Sequence, residues 1–126
     1  MDSVLVVEDD AAIREMVNYN LSREGYRVAA VGTGELALAL TDIQSFDAVI
    51  LDRMLPGVDG LTVCRELRNN PRTRDIPIIM LTALSGESDV VFGLKEGADD
   101  YVAKPFSPKV LVARVQAALR RRIADY

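Results

Sequence analysis

Short runs of β-branched and aliphatic residues alternate along the chain with longer segments whose apolar positions recur at helical spacing. The runs Val4–Val7, Arg27–Val31, Ala48–Leu51, Ile78–Leu81 and Tyr101–Ala103 read as strands. Ile13, Met16, Val17 and Leu21 form one stripe, Leu36, Leu40 and Ile43 a second, Leu61, Cys64 and Leu67 a third, and Leu111, Val115 and Leu119 a fourth. Each stripe predicts an amphipathic helix. A weaker fifth helix is predicted from about 88 to 96, stopping at Gly97 as the first stops at Gly25, because glycine supplies the left-handed turn that closes a helix. Strands that read as unbroken apolar runs are buried on both faces, so five βα units predict a doubly wound α/β domain, a parallel sheet covered by helices on either side.

Composition narrows the chemistry. With 126 residues, 49% hydrophobic and 27% charged, the chain has the size of one globular domain that needs no metal or disulfide staple. A formal net charge of −4 argues against nucleic acid as a direct ligand. The absence of histidine removes Ser/His/Asp triads, most zinc sites and any histidine phosphocarrier, and the single Cys64 removes internal disulfides. Cys64, inside a helical stripe, reads as a small buried hydrophobe. The N-terminal apolar run is too short and too acidic in its flanks for a signal peptide, and no segment reaches the roughly 18 apolar residues of a membrane span, so a cytoplasmic location without membrane contact is expected. Residues 1–122 are assigned to the domain, and residues 123–126, after Arg120–Arg122, to the start of a linker or C-terminal tail.

Ligands of open parallel sheets bind beyond the carboxyl ends of the strands, which directs attention to the residues there. The first strand is followed by Glu8, Asp9 and Asp10, the third by Asp52, the fourth by Thr82 and the fifth by Lys104. Taken alone, the acidic triplet is equally read as a solvated loop, with Asp10 capping the next helix. Asp52 is harder to dismiss, because a carboxylate at the edge of a core costs several kcal/mol unless something neutralises it. Glu8, Asp9 and Asp52 together would repel one another unless a cation lay between them, and an oxygen-only set suits Mg²⁺. Lys104 offers a point charge to a carboxylate or phosphoryl group, and Lys104–Pro105 is a candidate cis peptide that would aim it inward. Thr82 alone has the ordinary role of a strand-end hydroxyl bonded to backbone. As a set, these residues describe a metal-oriented carboxylate nucleophile with an ammonium and a hydroxyl for the oxygens of an incoming phosphoryl group; aspartyl phosphorylation fits.

At this point the sequence resembles the receiver domain of two-component response regulators, from Val4 to about Arg122. The resemblance rests on Val-Val-Glu-Asp-Asp, Val-Ile-Leu-Asp-Arg-Met-Leu-Pro, Leu-Thr-Ala at 81–83 and Lys-Pro-Phe at 104–106, weak singly and specific in this order. It implies a flavodoxin-like five-stranded sheet in order 2-1-3-4-5 with five helices, and phosphorylation by a sensor histidine kinase. Asp52 would be the phosphoacceptor. Asp9, Asp52 and the Met54 backbone carbonyl would bind Mg²⁺ (or Mn²⁺) directly and Glu8 through water, while Thr82 and Lys104 would receive phosphoryl oxygens. The resemblance makes Tyr101 the aromatic switch, turning inward as Thr82 moves and remodelling the surface of the fourth helix, fifth strand and fifth helix. The domain would assist its own phosphotransfer and dephosphorylation without being a turnover enzyme.

The stretch Gly97–Lys109 is especially similar to the subfamily whose receivers carry a winged-helix DNA-binding domain and dimerise through that face when phosphorylated. DNA would then be bound only by an effector domain outside this chain. Asp100 and Arg114, and Asp99 and Arg121, match intersubunit ion pairs of that subfamily, whereas Val90 and Val110 stand where opposite charges are usual. Met54 and Leu84 occupy positions that influence attack of water on the phosphoaspartate, and neither side chain can hydrogen-bond a water, so a long-lived phosphorylated state is expected. Two rivals are weaker. Gly32-Thr33-Gly34-Glu35-Leu36-Ala37 satisfies a dinucleotide-binding pattern with Asp52 20 residues after Gly32, but it follows the second strand and leaves Glu8, Asp9 and Lys104 idle. A phosphohydrolase resembling the haloacid dehalogenases needs a second Asp where Met54 stands.

Overall fold

The computed structural model describes the backbone of residues 1–124 and side chains through Arg121. All ten expected elements form: β1 (Ser3–Val7), α1 (Ala11–Arg23), β2 (Arg27–Val31), α2 (Gly34–Ile43), β3 (Ala48–Asp52), α3 (Gly60–Asn69), β4 (Ile78–Thr82), α4 (Glu87–Lys95), β5 (Asp100–Ala103) and α5 (Pro108–Ala124). The strands pair in parallel in the order β2-β1-β3-β4-β5. Gly25 and Gly97, with φ of +90° and +123°, follow α1 and α4, in the backbone region where glycine alone escapes a Cβ penalty. Asp10 caps α1 by accepting from the Ile13 amide at 3.1 Å, and the Lys104–Pro105 peptide is cis.

Strand alternation sorts the interior into two layers. Val4, Val6, Ala48, Ile50, Ile79 and Leu81 face α1 and α5, meeting Val17, Leu21, Leu111, Val115 and Leu119. Leu5, Val7, Val49, Leu51, Ile78 and Met80 face the other way, toward Ala37, Val63, Cys64 and Leu67 of α2 and α3. Cys64 is buried, as its place in a helical stripe predicted.

Two details correct the sequence reading. The stripe of α2 turns inward only at Leu40, which packs against the core: Leu36 is 55% and Ile43 82% exposed, while the buried residues are Gly34, Ala37 and Thr41. Closeness of approach decides this. A Cβ on Gly34 would lie 2.6 Å from the Val58 carbonyl oxygen and 2.8 Å from a Val63 methyl, so α2 presents its smallest residues to its neighbours. Asp52 and Thr82 are the last residues of their strands rather than the first beyond them. The tail assigned to residues 123–126 begins inside α5, which continues unbroken to Ala124, and its final two residues lie outside the described ones.

The orientation of α2 makes a prediction. Leu67→Ala, which empties a buried position, is expected to cost about 3 kcal/mol of unfolding free energy, and Leu36→Ala under about 0.5 kcal/mol. Urea midpoints at equal slope check this, and comparable losses at the two positions would contradict the outward face.

Candidate functional site

Register brings the chemistry together. Val7 pairs with Leu51, Asp52 with Leu81 and Thr82 with Ala103, so Glu8, Asp52, Thr82 and Lys104 end four adjacent strands on one edge of the sheet. This edge includes the place where strand order reverses: β1 leads through α1 to β2 on one side, while β3 lies on the other, and the connections diverge to leave a crevice above β1 and β3. Gly60, the first residue of α3, closes the far side of β3. Its amide donates to the Arg53 carbonyl at 2.9 Å, and a Cβ there would come within 2.1 Å of the Asp52 carbonyl oxygen, so only glycine allows this approach.

Glu8, Asp52 and Thr82 are buried, at 1%, 3% and 0% exposure, while Asp9 reaches solvent. Carboxylate oxygens of Glu8, Asp9 and Asp52 all lie within 4.8 Å of one another. The Lys104 ammonium enters this group, with Nζ 2.8 Å from Asp52 Oδ2 and 2.6 Å from Glu8 Oε1. The contact to Asp52 is a directed hydrogen bond. The contact to Glu8 is an ion pair whose angles fall outside hydrogen bonding, so the buried Oε1 retains unfilled acceptor capacity. Glu8 Oε2 accepts from the Asp10 amide at 3.1 Å and Asp52 Oδ1 from the Met54 amide at 2.9 Å. Thr82 Oγ1 accepts from the Leu84 amide at 3.3 Å, the backbone role open to any strand-end hydroxyl.

Burial pushes the Glu8 carboxyl from its ordinary 4.5 up to about 7, against the lowering influence of Lys104 and the Asp10 amide and with a further push from Asp52. For Lys104, burial works against the charged form, but the hydrogen bond to Asp52 and the close negative charge of Asp52 and Glu8 outweigh it and hold the ammonium above its usual range. One cation therefore does not balance the group: three carboxylates against one ammonium leave a charge deficit that a buried acid relieves by holding its proton. The donors are all oxygens, which is the chemistry of a hard divalent cation, and the unfilled Glu8 Oε1 fits such an ion or its water shell.

Sequence reasoning passed over two arginines here. Arg14 Nη1 donates to the carbonyls of Glu8 (2.9 Å) and Asp9 (3.3 Å), fixing the loop that carries both acids. Arg53, next to Asp52, donates to the Asp89 carbonyl (2.8 Å) and to the Tyr101 hydroxyl (3.3 Å). The signal for Arg53 was present, a cation abutting a buried strand-end acid, but its partners lie far along the chain. Tyr101 is half-buried, and its hydroxyl donates to the Leu84 carbonyl at 2.5 Å.

Of the residues expected to pair between subunits, Asp99, Asp100 and Arg114 have partners within this chain. Asp99 Oδ2 accepts from Arg68 Nη2 and from the Ile78 amide, both at 2.7 Å, and Asp100 lies 3.5 Å from Arg114. Arg121 is exposed on α5, Val110 is 46% exposed, and Val90 is half-buried on α4.

The response regulator receiver domain family matches residues 4–116. The transcriptional regulatory protein AfsQ1 of Streptomyces coelicolor is 51% identical over 121 residues, covering 96% of this chain and 52% of that protein. The DNA-binding response regulator MtrA of Mycobacterium tuberculosis is 51% identical over 118 residues, covering 94% and 50%. The chain thus spans about half the length of the curated relatives it matches. A CheY-like response regulator receiver domain protein from Methanospirillum hungatei superposes with a TM-score of 0.93 at 27% identity, covering 100% of this chain and 99% of that one. Sequence, fold and the order of acids along the strands agree, and the chain belongs to the response regulator receiver domain family.

Proposed function

We propose that this receiver, in the cytoplasm, accepts a phosphoryl group on Asp52 from the phosphohistidine of a sensor histidine kinase, and that the modified domain acts through an effector outside this chain. The observation that carries the reading is the Lys104 ammonium, 2.8 Å from Asp52 Oδ2 and 2.6 Å from Glu8 Oε1, beside a third carboxylate. An Asp52 oxygen attacks phosphorus as the phosphorus–nitrogen bond of the donor breaks, and the electron pair leaves with the imidazole nitrogen. A carboxylate nucleophile has no proton to give up in the attack, so no general base is required. Lys104 compensates charge on the phosphoryl oxygens, and Thr82, freed from the Leu84 amide, donates its hydroxyl to one of them. Asp9, Asp52 and the Met54 carbonyl would hold Mg²⁺ or Mn²⁺, with Glu8 reaching it through water. Bound there, the cation would neutralise charge on both the carboxylates and the transferring group.

Movement of Thr82 and Tyr101 would alter the surface of α4, β5 and α5, where a second phosphorylated copy would dock. Asp99 and Asp100 would have to exchange their present arginine partners for Arg121 and Arg114 of the other copy, while Val90 and Val110 would pack without charge. AfsQ1 and MtrA are by name transcriptional or DNA-binding regulators, which supports an effector that binds DNA.

Intact mass after incubation with acetyl phosphate tests the reading. One phosphoryl adduct is expected in the wild type with Mg²⁺, and none without Mg²⁺ or in Asp52→Asn; an adduct in Asp52→Asn overturns the assignment. Once formed, the adduct is expected to outlast that of Met54→Asn by on the order of tenfold, since the exposed thioether of Met54 orients no water. Equal decay rates would remove that role.

The raised pKa of Glu8 gives a signed pH dependence. Its folded form binds a proton more tightly than the unfolded chain does, so its contribution to stability is complete below about pH 4.5 and is lost as pH rises through about 7. Thermal melts of the metal-free chain should therefore fall across this window. Glu8→Gln should flatten the fall, and Mg²⁺ should raise stability most at its upper end; identical profiles for wild type and Glu8→Gln would contradict the assignment.

A further inference from the structure

The core holds α4 less firmly than the other helices. Gly93 is its one buried residue, its N-cap Gly86 makes no side-chain cap, and Val91, Phe92 and Leu94 are 44%, 45% and 41% exposed. A helix of nine residues with so little apolar burial takes its position from other contacts. Arg53 supplies a connected set of them. Its Nη1 lies 2.8 Å from the Asp89 carbonyl in the first turn of α4 and 3.3 Å from the Tyr101 hydroxyl, and its guanidinium carbon sits 5.5 Å from the centre of the Phe92 ring. One planar cation thereby touches two residues of α4 and the aromatic side chain of β5.

The other end of Arg53 is fixed by the acid site. Asp52 precedes it, Asp52 Oδ1 holds the amide of Met54 just after it, and its carbonyl accepts from Gly60. Its Cα would stand 2.6 Å from a Cβ on Gly60, so the backbone of residue 53 has little room to move independently of its neighbours. Tyr101 closes the circuit: its hydroxyl bonds to the Leu84 carbonyl, and a Cβ on Gly93 would lie 2.8 Å from its ring.

We propose that Arg53 is the positioning residue through which the acid site sets the placement of α4, by gripping the Asp89 carbonyl, the Phe92 ring and the Tyr101 hydroxyl with one guanidinium. This rests on Asp52 being the phosphoacceptor. A new group on Asp52 competes for the oxygens that hold residue 54 and displaces the backbone at 53, and the guanidinium carries that displacement to a helix the core scarcely restrains. A brace without this role would stabilise α4 equally whether or not Asp52 is modified.

Amide hydrogen exchange of residues 90–96 distinguishes the two, measured on the full chain with and without Mg²⁺ and acetyl phosphate, with intact mass read on the same samples. In the unmodified state, Arg53→Met and Phe92→Leu are each expected to speed α4 exchange about tenfold while leaving β1 and β3 unchanged. Phosphorylation is expected to change α4 exchange at least about fivefold in the wild type and less than about twofold in Arg53→Met. Arg53→Lys should recover only part of the response, since an ammonium cannot stack and bond in the same plane. An equal response in wild type and Arg53→Met, with adducts present in both, overturns the proposal. So does unmodified α4 exchange that neither Arg53→Met nor Phe92→Leu alters. A wild type that forms no adduct, visible in the mass spectrum, overturns the phosphoacceptor reading instead, and with it the response proposed here.

Discussion

A single ammonium among three carboxylates is the constraint on which the rest depends. Burying Glu8 and Asp52 side by side would cost several kcal/mol with no counter-charge, and Lys104 supplies one from a strand two places away in the sheet. The ammonium reaches both acids because β3, β4 and β5 are parallel and in a register that ends them together. Burial, with a further push from Asp52, outweighs the pull of Lys104 and the Asp10 amide, so the Glu8 carboxyl favours its proton. The domain is therefore built with an unsatisfied electrostatic demand at its carboxyl edge, which is the chemistry that suits a hard divalent cation.

Much of this was legible in the chain. Unbroken apolar runs and period-3.6 stripes located ten elements because a sheet buried on both faces leaves its strands little freedom of composition. Asp52 and Lys104 stood out because charged groups closing apolar strands need partners. The reading failed where size rather than polarity decided the outcome. Leu36, Leu40 and Ile43 form a better apolar stripe than Gly34, Ala37 and Thr41, yet of the larger set only Leu40 packs against the core, and Val58 and Val63 come so close that a side chain at Gly34 would have no space. It also missed contacts joining distant segments. Nothing near Arg53 in sequence announces Asp89 or Tyr101, and nothing near Asp99 announces Arg68.

The helices are not equally anchored. Those on the α1 and α5 face bury large aliphatic side chains, and α3 buries Val63, Cys64 and Leu67, whereas α4 is held by a glycine, an aromatic contact and an arginine. Regions that rearrange at small cost are drawn from the weakly held end of a structure. Here that end lies over the edge of the sheet nearest Lys104, so a change in charge at the acid site and a change in helix position are separated by only a few side chains.

The brevity of β5 has a further consequence. This strand forms one margin of the sheet, is four residues long, opens on the charged Asp100, and is followed after Lys104 by a proline that has no amide hydrogen to offer. The opposite margin, β2, opens on Arg27. Neither margin presents a long, flat, uncharged row of unpaired amides and carbonyls, so the sheet is poorly disposed to grow by adding a strand from another molecule. Copies of the domain at high local concentration are thereby steered away from fibrous stacking, and any association is left to side chains rather than to backbone pairing at the sheet margins.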